Sequence, residues 1–112
     1  MTDRLFLINP HWTDDHGGPW YCPAGAIVEG VLAFYPALTT QLDITRLDFP
    51  RPRPPVIELV GEAHQSCPVL VLDDAFDWPE AQTSETTGKR FLQDQAIIPY
   101  LAARYGIGLP HP

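Results

Sequence analysis

The chain has 112 residues, 45% of them hydrophobic, and seven Lys and Arg against fourteen Asp and Glu give a net charge of −7. That length suits one domain, residues 1–112, with a single modest core. The acidic balance argues against nucleic acid and anionic membrane surfaces as partners, and no apolar run reaches the roughly 18 residues of a membrane helix.

Leu5-Phe6-Leu7-Ile8 is a short apolar run closed by Asn9-Pro10, which predicts a buried first strand. Residues 9–21 follow as an irregular loop rich in aromatic and titratable side chains, among them His11, Trp12, His16, Trp20 and Tyr21. Such a loop is either functional or a surface segment pinned by its tryptophans. Pro23 fits the first position of a helix that carries Ala26, Ile27, Val31, Leu32 and Phe34 and that Pro36 stops. Leu42 to Phe49 is strand-like, with Ile44, Thr45, Leu47 and Phe49 favouring extended backbone.

Pro50-Arg51-Pro52-Arg53-Pro54-Pro55 predicts a stiff, polyproline-like connector. Its arginines are either a clamp for a carboxylate or phosphate, or solvated charges. Val56 to Val60 gives a short helix that Gly61 ends. Pro68 to Leu72 is a third strand; Asp73 to Gly88 reads as an exposed, irregular insertion; Lys89 to Leu92 is a fourth strand at the sheet edge. Asp94 is expected to cap a last helix closed by Gly106, with Pro99 bending it from inside. The order strand, helix, strand, helix, strand, strand, helix predicts a four-stranded mixed α/β sheet with helices on both faces: a right-handed parallel crossover first, then an antiparallel pair.

Two cysteines carry the chemistry. Cys22 stands just ahead of a helix, where backbone N–H groups and the helix dipole favour a thiolate, so it is either a nucleophile or a packed thiol that starts the helix. His11, His16, Cys22 and Cys67 have ligand types suited to zinc, but their spacing fits no familiar zinc signature, and surface histidines are the alternative. His64 is either a proton donor near a thiol or a polar loop residue. The N-terminal stretch has no basic region and long apolar segment of a secretory signal, so a cytoplasmic location is expected.

Ser66-Cys67-Pro68-Val69-Leu70 and the long stretch Leu92-Gln93-Asp94 through Tyr105-Gly106 resemble motifs of the thioredoxin-like superfamily, most closely those of the N-terminal domain of glutathione transferases. That resemblance implies a thioredoxin-like fold with a cis proline, Pro68, before the third strand. It implies that Cys67 lies beside Cys22, close enough for a reversible disulfide if their Cα atoms fall within about 7 Å. It also implies that Cys67, Pro68, Gln93 and Asp94 bind a ligand such as glutathione, or another thiol peptide or protein. Gly25 stands where redox members carry a second cysteine, and Gln93-Asp94 where transferases hold the γ-glutamyl end of glutathione. Cys22-Pro23 through Glu29-Gly30, Phe49-Pro50-Arg51-Pro52-Arg53 and Gly61-Glu62-Ala63 resemble a bacterial family of unknown function with this fold, which implies architecture rather than chemistry.

The functional expectation is a thiol-dependent redox or glutathione-linked protein with Cys22 as the nucleophile. A non-catalytic binding or assembly domain of the same fold is the alternative, and a zinc site the weaker one. The sequence leaves a homo-oligomer open.

Overall fold

Alternation along three strands splits the core into two layers, and this is what places the helices. In the computed structural model, which describes residues 2–112, β1 (Arg4–Ile8) sends Leu5 and Leu7 to one face and Phe6 and Ile8 to the other. β5 (Val69–Val71) and β7 (Arg90–Gln93) divide in the same way, Leu70 and Leu92 against Val69, Val71 and Phe91. Period-two geometry thus makes both faces apolar, and both must be covered.

The first face is covered by α1 (Pro23–Phe34), α2 (Leu38–Gln41) and α4 (Ile97–Tyr105), through Val28, Leu32, Leu38, Ile97, Ile98, Tyr100 and Leu101. The second is covered by α3 (Pro54–Val60), through Val56, Leu59 and Val60, with Cys67 in the same layer. The sheet runs β4-β1-β5-β7-β6, where β4 is Asp43–Leu47 and β6 is Gln82–Thr83. β1 pairs with β4 in parallel, as the crossover through α1 requires, and β1–β5, β5–β7 and β7–β6 are antiparallel. The mixed sheet with helices on both faces is as expected.

It has five strands rather than four, because Gln82–Thr83 in the supposed insertion pairs with β7, so β7 is not the edge. Two residues are too short a run for a period to register in the sequence. The 73–88 segment is also tied down. Phe76 and Trp78 meet Tyr100 edge-on, and the Ser84 hydroxyl is buried against the end of α3.

Residues 9–21 are not an irregular loop either. β2 (Trp12–Asp14) and β3 (Gly17–Trp20) form a separate hairpin, with Trp12 opposite Trp20. Gly18 holds φ +128°, and a Cβ there would come within 2.8 Å of the Trp12 carbonyl, so the turn closes only on glycine. Asp14 pins the hairpin by accepting from the His16 N–H and the Trp20 indole.

Asp94 does not cap the last helix. It adopts φ +53° in a 3-10 turn, Asp94–Ala96, and the α-helix begins at Ile97 with no side-chain cap. Pro99 therefore falls in the first turn of α4, where an N–H has no intrahelical acceptor, and it costs the helix no bond. Among the described residues, no helix is long and apolar enough to cross a membrane.

Candidate functional site

Cys22 is the N-cap of α1. Its backbone is extended (φ −77°, ψ 118°), Pro23 occupies the first turn, and the Sγ accepts the Gly25 N–H at 3.3 Å. The sulfur thus takes the place an oxygen usually holds at a helix start, and satisfies one of the orphan donors there. Gly25 is buried, and a Cβ on it would lie 3.4 Å from the Cys22 Cβ and 3.6 Å from its Sγ, in ordinary van der Waals contact with the cysteine.

The Cys22 thiol also donates to the Cys67 carbonyl at 3.8 Å. The two cysteines, 45 residues apart in sequence, do line one cleft, and both are free thiols. Their settings differ. Cys22 is half-buried, whereas Cys67 is 8% exposed and its thiol donates to the Gln65 carbonyl at 3.7 Å. Burial pushes the Cys67 thiol up to about 11, with the nearby Arg53 charge working against that rise. Cys67 stays protonated at neutral pH.

The Cys67–Pro68 peptide is cis, and Pro68 is buried. The Pro68 carbonyl accepts the Asp94 N–H at 3.0 Å, and the Gln93 amide donates to the Ser66 carbonyl at 3.1 Å. Gln93 and Asp94 therefore brace the back of the proline segment. Neither lines the cleft that holds the cysteines.

That cleft has a volume of about 250 Å³. Trp12 and Phe49 form one wall, their rings 4.4 Å apart and 8° from parallel. Arg51 and Arg53 form another. Arg51 is exposed and donates to the Ser66 hydroxyl at 3.1 Å. Arg53, read from sequence as a clamp or a solvated charge, is only 5% exposed. Its guanidinium donates to the carbonyls of Phe49 and Gln65 and lies 5.6 Å from the centre of the Phe49 ring. Desolvation lowers its pKa, opposed by the neighbouring thiols.

Sequence reasoning missed the burial of Arg53 and the part of Trp12. Proline framing does not single it out, because Arg51 is framed the same way and is exposed.

His64 does not line the cleft of the thiols: its Nε2 lies 2.8 Å from Glu85, and its ring packs on Phe91. It is not placed as a proton donor for Cys22. His16 sits on the hairpin turn and His11 at its base, both exposed, and they do not join the cysteines. Among the described residues, no three His, Cys, Asp or Glu side chains gather as a metal site needs. A larger apolar groove of about 490 Å³ lies along α1 beside Ile27, Val31, Phe34, Ile98 and Leu109, away from the cysteines.

A family model described as "Protein of unknown function (DUF3088)" matches residues 2–109. The chain belongs to that family. No curated protein and no solved structure matches it. The family's description carries no activity, so any chemistry has to be argued from the cleft itself.

Proposed function

We propose that this member of the family is a thiol-dependent redox protein, with a thioredoxin-like fold similar to the N-terminal domain of glutathione transferases, acting through Cys22. One observation carries the reading: a half-buried sulfur at a helix N-terminus, in a cleft lined by two arginines and facing a cis proline segment. The helix N-terminus and the arginines favour negative charge where the thiolate would form.

In thiol–disulfide exchange, the Cys22 thiolate attacks one sulfur of a small disulfide such as oxidised glutathione. A Cys22–sulfur bond forms, the ligand's sulfur–sulfur bond breaks, and the second ligand thiolate leaves with the electron pair. Cys67, protonated at neutral pH, does not compete as the attacking group. It can resolve the mixed disulfide by losing its proton and displacing the first ligand thiol, which leaves a Cys22–Cys67 bridge.

The test is to incubate the protein with oxidised glutathione and weigh it intact. A glutathione adduct mapped to Cys22, or a loss of two hydrogens that Cys67→Ser converts into that adduct, is expected. Two unmodified thiols would refute the reading. That result favours a second one, a non-catalytic assembly domain, which draws on apolar side chains left at the surface along α1: Phe34 is 79% exposed, Leu109 66% and Ile27 46%. A stable dimer by sedimentation would then complete the case.

A further inference from the structure

We propose that the cleft beside Cys22 binds a small organic anion, its carboxylate seated on Arg53 and Arg51 and its apolar part against Trp12 and Phe49. Arg53 is the starting point. A guanidinium taken out of water is costly unless a counter-charge or full hydrogen bonding offsets the loss. Arg53 has neither among the described residues.

Its Nε, Nη1 and Nη2 donate to two neutral carbonyls, those of Phe49 and Gln65. A guanidinium carries five N–H donors, so two are left over. No Asp or Glu pairs with Arg53 or with Arg51 among the described residues. By contrast Arg46 has Glu29, Arg90 has Asp77, and Arg104 has Asp3 and Asp73. In a chain with twice as many acids as bases, the one buried arginine is left without an acid among the described residues.

The charges that act on Arg53 come from Arg51, which repels it, and from the two thiols. The lining of the cleft holds two cations and no carboxylate. The remaining lining defines the ligand's other end. Beside the arginines and the Ser66 hydroxyl stand Trp12, Tyr21 and Phe49, and the volume of about 250 Å³ suits a molecule of a few carbon atoms with one apolar or aromatic group. Paired N–H donors match a carboxylate, and stacked rings match an apolar body. The inference needs the cations and the cleft; it does not need the redox reading.

Two alkylating probes of nearly equal size test it. Iodoacetate and iodoacetamide each form a sulfur–carbon bond at Cys22 and release iodide, but only iodoacetate carries a carboxylate. A protein of net charge −7 should repel iodoacetate. We expect Cys22 to react roughly tenfold faster with iodoacetate than with iodoacetamide at low salt. Phenylacetate should slow both reactions. The iodoacetate preference should collapse in Arg51→Gln, an exposed substitution that spares the fold, and in Arg53→Gln if that variant folds.

Equal rates, or a preference for iodoacetamide that Arg51→Gln leaves unchanged, would overturn the proposal. If Cys22 reacts with neither probe, the redox reading falls and the anion site is judged alone, by titrating the Cys22→Ser protein with phenylacetate while following tryptophan fluorescence. A saturable change that Arg51→Gln abolishes supports the site. No saturable change overturns it, as does saturation by sulfate without saturation by phenylacetate.

Discussion

Cys22 and Cys67 carry the same functional group, and their surroundings alone separate them. Cys22 has a helix N–H and an opening; Cys67 has a buried pocket and a carbonyl acceptor. The consequence at Cys67 is measurable in stability. Its thiol is held near 11, against 9.0 for an unperturbed thiol, chiefly by burial. Between those values the unfolded chain releases a proton that the folded chain keeps, so the contribution of this thiol is whole below about pH 9 and is lost as pH rises towards 11. Under reducing conditions, unfolding free energies from urea titrations should therefore fall further between about pH 8 and about pH 10.5 in the native protein than in Cys67→Ala, by on the order of 2 kcal/mol. Equal falls would mean that Cys67 ionises as freely folded as unfolded. Both cysteines were legible in the sequence, because a thiol ahead of a proline-led helix and a thiol ahead of a proline-led strand are local signals. Arg53 was not, because the carbonyls that take it in belong to Phe49 and Gln65, and Gln65 lies twelve residues away.

Among the elements, the long periodic ones were readable and the short ones were not. β1, α1, β4, α3 and β5 each carry an apolar run or a proline and glycine boundary of their own. The hairpin and β6 draw their pairing from turn chemistry and from a neighbour already in place. The 84–88 turn shows how such a segment is held. The last carbonyls of α3 have no partner within the helix. Thr87 Oγ1 donates to the Leu59 carbonyl at 2.7 Å, and Ser84 Oγ donates to the Val60 carbonyl at 2.9 Å while accepting the N–H groups of Thr86 and Thr87. Ser84 is 2% exposed, so removing its hydroxyl leaves a buried carbonyl unpaired with no water to replace it. Ser84→Ala should cost about 1–3 kcal/mol by chemical denaturation and should speed amide exchange at Thr86 and Thr87. A change within about 0.5 kcal/mol would show that the turn closes without this serine.

At the scale of the whole molecule, the two ends of the chain are joined through a buried charge cluster that no local pattern announces. Asp3 is fully buried at the start of the chain, and accepts from the hydroxyls of Tyr100 and Tyr105, both at 2.7 Å, and from Arg104 at 2.9 Å. Arg104 also pairs with Asp73 at 2.8 Å, and the Asp73 N–H donates to Asp3. The residue before β1, the segment after β5 and helix α4 therefore share one network. The hydrogen bond from Arg104 holds the Asp73 carboxyl below its usual range, and burial raises both tyrosines. A carboxylate whose folded value is depressed stabilises the protein above its unfolded value of 3.8, and that stability is lost as pH falls through the folded one. Arg104→Met reverses the sign. It leaves Asp73 and Asp3 with no cation, at a cost of about 3–5 kcal/mol near neutral pH, and protonation of Asp73 then relieves the strain instead of adding to it. The stability gap between native protein and Arg104→Met, measured by urea unfolding, should thus be widest near pH 7 and narrow steadily towards about pH 3. A gap that stays constant across that range would mean that Arg104 contributes packing rather than charge, and that the termini are held together by the tyrosines alone.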